Sequence, residues 1–264
     1  MSTLPASPLP PVPPLPPVPP TPLTSSVSRH DALKRVLSGA GCVVLDLDGP
    51  VVRFFARPDG SPESVAPAIA ADLHDIARVN GTVLPELAGV QDPHRILTEH
   101  DRHPGTGTWR RVALEMRDAL DAAEWKAAEH GTETDGATDF IRAWRGLGRH
   151  LSVASNNHPV AVARVLERLG VLDCFDGPVI GRDPDTRLMK PHPHALRLAM
   201  VPAAGGPERH VMIGDSRTDL TTARAVGMPF IGYHRRPGGR ESLAGAGAPV
   251  VLESMRELLA ALPG

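Results

Sequence analysis

The sequence predicts an α/β fold, a doubly wound parallel sheet carrying a small inserted helical domain. Three observations lead there. From residue 29 on, short apolar runs alternate with helical patterns, the signature of βαβ units. The runs are aliphatic throughout, as strands covered by helices on both faces must be. One stretch, 54–133, carries helical periodicity and no strand pattern, and it is too long for a plain loop.

Taken in order, the chain begins with "MSTLPASPLPPVPPLPPVPPTPLTSSVS" (1–28), whose prolines lack the N–H that a helix or a ladder needs. This segment reads as a solvated, polyproline II-like tail, with a groove-type binding partner as its one functional option. The core covers 29–53 and 134–264. Its strands are "CVVLDL" (42–47), "LSVAS" (151–155), "GPVIG" (177–181), "HVMIG" (210–214), "MPFIGY" (228–233) and "PVVLE" (249–253). Helices between the later strands have clear stops, at Gly170 and at Gly227 with Pro229 beyond. In the insert, Trp109, Val112, Met116 and Leu120 mark one helix face, while "AAEWKAAEHG" reads as an exposed helix. The loop "EHDRHPGTGTW" reads as polar, with His100 and His103 solvated. The helix "ATDFIRAWRGL" returns to the core with Phe140, Ile141, Trp144 and Leu147 on one face.

Composition narrows the function. A formal net charge of −2 over 264 residues gives no global field to attract nucleic acid or an anionic membrane. No stretch approaches the roughly 18 apolar residues of a membrane span, and the start lacks a secretory pattern. Cys42 and Cys174 read as packed thiols, and a cytoplasmic location fits best. Of 28 Lys and Arg residues, only Lys34, Lys126 and Lys190 are lysines.

In open α/β sheets, ligands bind outside the carboxyl ends of the strands. Asp46 and Asp48 follow the first strand, and like charges that close call for a cation or an electrophile. Ser155, Asn156 and Asn157 follow the second, where a simple turn is the structural alternative. Asp215, Ser216 and Asp219 follow the fourth, and Asp219 doubles as an imperfect capping-box partner. Lys190 precedes a helix opened by Pro191 or Pro193, where the dipole disfavours a cation, so an anionic partner is expected.

Together these residues resemble the haloacid dehalogenase-like hydrolase superfamily. "DLDGPV", "VASNN", "MKPHP" and "IGDSRTD" match its four motifs in order, and the helical insert resembles the cap of the phosphoglycolate phosphatase-like branch. The resemblance implies a Mg²⁺-dependent phosphatase acting on a small phosphorylated metabolite through an aspartyl-phosphate. It implies that Asp46 is the nucleophile and Asp48 the general acid and base. Mg²⁺ would sit between Asp46, the Asp48 backbone carbonyl and Asp215, with Asp219 orienting that group. Ser155, the Asn156 N–H and Lys190 would hold the phosphoryl oxygens.

Asp48 argues against halide cleavage, which needs no acid, and Lys126 is the insert's only lysine for a Schiff-base variant. A sugar-phosphate mutase, a phospho-acceptor module and a non-catalytic binding protein remain as alternatives. Pro50 stands where the family has Thr, which alters how the following segment is held. His192 and His194 read as helix-start residues rather than zinc ligands.

Overall fold

The computed structural model describes residues 28–61 and 63–263. The proline-rich tail therefore lies outside the described residues, except that Ser28 caps the first helix by accepting a hydrogen bond from the Asp31 N–H. That helix, α1 (Arg29–Gly39), leads into β1 (Cys42–Leu45) and the short β2 (Val52–Arg53). Three helices follow, α2 (Ala66–Val79), α3 (Pro93–Arg102) and α4 (Thr108–His130). β3 (Thr132–Glu133) then pairs antiparallel with β2, setting Val52 opposite Glu133 and Arg53 opposite Thr132. The α2–α4 insertion thus enters and leaves through one narrow ribbon.

Beyond it run α5 (Ala137–Gly146), β4 (His150–Ala154), α6 (Pro159–Arg168), β5 (Val179–Ile180) and α7 (His194–Ala199). The chain closes with β6 (His210–Gly214), α8 (Arg217–Val226), β7 (Phe230–Tyr233), α9 (Pro237–Gly245), β8 (Val251–Leu252) and α10 (Arg256–Ala260). All six expected core strands form, in one sheet ordered β5-β4-β1-β6-β7-β8, and every pairing in it is parallel. β1 lies at the centre, and the strand order reverses beside it, where an open α/β sheet leaves a crevice.

The alternation of β1 divides the core. Val43 and Leu45 face one apolar cluster, shared with α1, α5, α6 and the insertion, while Cys42 and Val44 face a second, shared with α7, α8 and α9. Burial pushes the Cys42 thiol up to about 12, so it packs as an apolar group.

Four details differ from the sequence reading. Leu147, expected on the buried face of α5, is 41% exposed because the helix ends at Gly146. His100 is 2% exposed, not solvated: it continues the α3 stripe of Pro93, Ile96 and Leu97, and its ring bonds the Ile96 and Thr82 carbonyls. His103 stacks on Trp109 at 3.5 Å between ring centres. In α4, Glu124, Ala127 and Ala128 are buried where an exposed helix was expected, and Lys126 is exposed.

Candidate active site

β1 delivers Asp46 and Asp48 to the carboxyl edge of the sheet, and β6 delivers Asp215 beside them. Gly49 makes the close approach feasible. Its φ of +106° lies in the left-handed region, and a Cβ there would come within 2.5 Å of the Asp215 carboxylate. The turn is tied down by Thr134, whose hydroxyl donates to the Gly49 carbonyl at 2.6 Å and whose N–H donates to the Val51 carbonyl at 3.0 Å. Thr134, from the far side of the ribbon, thus holds the segment that Pro50 cannot.

One cavity of about 400 Å³ gathers six of the residues to which the family resemblance gives a role: Asp46, Asp48, Ser155, Asn156, Lys190 and Asp215. Its roof is the face of α3 that carries His94, Arg95, Thr98 and Arg102. Lys190 is the hub. Its ammonium donates to Asp219 at 2.7 Å and to the Ala154 carbonyl at 2.9 Å, and pairs with Asp46 at 2.9 Å. The anionic partner expected for Lys190 is therefore a pair of aspartates. Asn156 braces the same residue, accepting from the Lys190 N–H at 2.8 Å and donating to its carbonyl at 3.1 Å. The Asn156 N–H itself makes no hydrogen bond among the described residues. Ser155 Oγ donates to Asn157 Oδ1 at 2.9 Å.

Asp219 lies beneath the site, fully buried. One oxygen serves Lys190 and the other accepts from the Ser216 N–H and hydroxyl, completing a reciprocal capping box on α8. The cap and the lysine contact use the two oxygens of one carboxylate. Asp219 positions Lys190, and no hydrogen bond joins it to Asp215 among the described residues.

The charges are unbalanced. Burial pushes Asp46 up to about 6, with Lys190 pulling down and Asp219 and Asp48 pushing further up. Burial, then the charges of Asp46, Asp48 and Asp219, hold Asp215 well above the usual carboxylate range. Asp48 is raised by burial, while the Phe54 N–H, 2.8 Å from its carboxylate, and the charges of His94 and Arg235 lower it. Lys190 alone does not balance this cluster. Carboxylate oxygens of Asp46, Asp215 and Asp219 lie within 4.8 Å of one another, and a set of hard oxygen donors suits a hard divalent cation. Asp219 already spends both oxygens, which leaves Asp46 and Asp215 as the free carboxylate donors.

A second polar network was not evident in the sequence. Glu124 of α4 is 0% exposed and accepts from His94 Nε2 at 2.8 Å, Asn157 Nδ2 at 3.2 Å and the His158 N–H at 2.6 Å. Arg182 clasps it with two further bonds of 2.9 and 3.0 Å, and also donates to Asp121 and to the Asn156 carbonyl. Burial alone would raise Glu124, but His94 and Arg182 outweigh it and hold the carboxyl down to about 2. An ionised Glu124 fixes His94 with its proton on Nε2. The network joins the insertion to the loop after β4.

The family model for haloacid dehalogenase-like hydrolases matches residues 41–227. The chain belongs to that family. Among curated proteins, the phosphoglycolate phosphatase of Salmonella typhimurium is 32% identical over 148 residues, covering 56% of this chain and 58% of that protein. The Escherichia coli protein of the same name is 31% identical over the same span. The chain thus spans a little over half the length of the curated relatives it matches. Two solved structures share the fold. One, described as a predicted phosphatase from Clostridium acetobutylicum, has a TM-score of 0.60 at 23% identity and covers 82% of this chain and 95% of its own. The other, CbbY from Rhodobacter sphaeroides in complex with phosphate, has a TM-score of 0.60 at 20% identity and covers 84% and 99%.

Proposed function

We propose that this chain is a Mg²⁺-dependent phosphatase that hydrolyses a small phosphomonoester through an aspartyl-phosphate at Asp46. The observation that carries the proposal is the buried Asp46 carboxylate, held at 2.9 Å by Lys190 and crowded by Asp48 and Asp215 around one cavity. Asp46 and Asp215, with the Asp48 carbonyl, would be the donors for Mg²⁺. When bound, the cation neutralises this crowding and draws charge from the phosphoryl oxygens.

Asp46 attacks phosphorus and splits one difficult step into two. Asp48, its carboxyl raised by burial, gives a proton to the leaving oxygen and later takes one from the hydrolytic water. The Asn156 N–H and the Ser155 hydroxyl receive phosphoryl oxygens. Lys190 turns from Asp46 toward the phosphoryl group while Asp219 and the Ala154 carbonyl keep its ammonium in place. The α2–α4 insertion acts as a cap that excludes water. The curated relatives' name supplies the candidate ester, phosphoglycolate.

The test is release of phosphate from an aryl phosphate with Mg²⁺, with EDTA, and by the Asp46→Asn variant. Metal-dependent release that vanishes in the variant is the expected result. An Asp46→Asn protein that still turns over would remove the nucleophile assignment.

A further inference from the structure

The segment 155–158 joins β4 to α6 and lines the cavity with Ser155, Asn156 and Asn157. Three of its four backbone N–H groups are engaged. Ser155 donates to the Ile180 carbonyl at 2.9 Å, Asn157 to Ser155 Oγ at 3.3 Å and His158 to Glu124 Oε2 at 2.6 Å. The fourth, on Asn156, has no partner among the described residues. Arg182 holds the carbonyls beside it. Its Nη1 donates to the Asn156 carbonyl at 3.2 Å, and its N–H donates to the Asn157 carbonyl at 2.7 Å. With the neighbouring peptide groups anchored, the Asn156 N–H is a donor fixed in place for a ligand. The loop after β5 comes this near because residue 181 is glycine. A Cβ there would lie 2.5 Å from Pro159 Cα and 2.7 Å from the Asn157 carbonyl oxygen.

The anchor is itself anchored from the insertion. Arg182 is buried, and Glu124 of α4 takes its guanidinium at 2.9 and 3.0 Å. Among the described residues, every hydrogen bond between the insertion and 155–158 ends on Glu124. The same carboxylate holds His94 in the cavity roof at 2.8 Å. Beyond Asn156 the order runs on to Lys190, whose backbone N–H and carbonyl both bond the Asn156 side chain. Asp121, the other carboxylate of α4 that meets Arg182, makes no hydrogen bond to 155–158 among the described residues.

We infer that Glu124, acting through Arg182 and the His158 N–H, is a positioning residue for the phosphoryl grip of Ser155, Asn156 and Lys190, and that it makes this grip depend on where the insertion sits. The inference rests on the phosphatase reading for what the grip holds, and its test needs no turnover.

The test is calorimetric titration of the Mg²⁺-loaded protein with inorganic phosphate. Glu124→Gln leaves one acceptor oxygen where two served. It should raise the phosphate Kd by about ten- to a hundredfold, as loss of a group that orients a binding residue does. Glu124→Asp keeps the charge and loses reach, so it should raise the Kd less, and it serves where the Gln variant fails to fold. Asp121→Asn should leave the Kd unchanged. The Mg²⁺ Kd, measured without phosphate, should match the wild type in all three, because Asp46 and Asp215 accept no hydrogen bond from Glu124 or Arg182 among the described residues. A phosphate Kd equal to wild type in the folded Glu124 variants would leave the residue a purely structural role and overturn the inference. An equal rise in Asp121→Asn, or a parallel rise in the Mg²⁺ Kd, would overturn it too.

Coupling is reciprocal, so phosphate must in turn strengthen the Glu124 contact. Hydrogen exchange at the His158 N–H should slow when phosphate is added to the Mg²⁺-loaded wild type, and unchanged exchange overturns the dependence on the insertion. Wild-type protein that binds phosphate but hydrolyses no aryl phosphate would fail the phosphatase reading alone. Wild-type protein that binds no phosphate would fail both.

Discussion

Two buried acidic centres stand in the same wall of this molecule and are built on opposite terms. Around Glu124 every demand is met: five donors converge on one carboxylate, and its carboxyl is held down to about 2. Around Asp46 the supply falls short. Of the three crowded aspartates that line the cavity, Asp46 alone pairs with the lysine, and burial pushes all three carboxyls up. A complete network gives definite geometry, since each partner has one place to be. An incomplete one holds its groups in a state that a cation or an electrophile relieves, which is the condition of a reactive site. The first positions His94 and Asn157, and the proposed function assigns the chemistry to the second.

The comparison can be broken at either centre. Among changes that spare Asp46, the proposed nucleophile, Asp48→Asn should have the largest effect, cutting kcat by roughly 10²–10⁴-fold with little change in folding. A loss below about tenfold in a phosphate-release assay would take Asp48 out of acid–base work. Next comes Glu124→Ala, which takes from buried Arg182 one of its two carboxylate partners, leaving Asp121. Breaking a buried pair in this way costs about 3–5 kcal/mol, readable as a lower denaturant midpoint. Glu124→Gln should cost less, because it keeps acceptors for part of the set.

The pH dependence sharpens the contrast, because the two centres have opposite signs. Glu124 is depressed, from 4.5 to about 2, so its contribution is present above about 4.5 and is lost as pH falls toward 2. Asp46 is raised, from 3.8 to about 6, so without metal its contribution is present below 3.8 and is lost as pH rises through 6. Urea titrations in EDTA should show both limbs. Asp46→Asn should flatten the upper limb, Glu124→Gln should flatten the lower, and Mg²⁺ should restore stability at neutral pH. The smallest effect is expected at Arg164, which meets Glu129 of α4 at 3.1 Å on the exposed side of the same junction. Arg164→Ala should shift stability by less than about 1 kcal/mol, as exposed pairs do. A shift as large as that of Glu124→Ala would show that solvent exposure does not separate the two ion pairs.

The incomplete centre was readable from sequence and the complete one was not, for a physical reason. Asp46, Asp48 and Asp215 follow aliphatic strands directly, so the strand pattern alone carries them to one edge. The partners of Glu124 come from α3, from the loop after β4 and from the loop at Arg182, and their meeting is decided by packing. A trace was present nonetheless. Val112, Met116 and Leu120 recur every four residues, and the next position on that stripe is Glu124. Reading the stripe one step further would have put it inside. His100 ends the α3 stripe of Pro93, Ile96 and Leu97 in the same way. Arg182, in an irregular loop, left no such signal, and the double role of Asp219, as helix cap and lysine partner, shows only when both oxygens are traced. Leu147 failed for a simpler cause, since the helix whose face it would share had already ended.

The β2–β3 ribbon has one more consequence. Because Arg53 and Thr132 are neighbours across two strands, the chain leaves the sheet and returns at a single address. A two-residue hairpin turn could close the same gap in the same register, and lengthening the excursion adds closure entropy only logarithmically. The strand-edge aspartates stand on the sheet, and among the described residues only Asp48 takes a hydrogen bond from the excursion, at the Phe54 N–H. The protein is in this sense a socket with an exchangeable fitting, in which a new insertion can be tried without re-laying the strand edge beneath it.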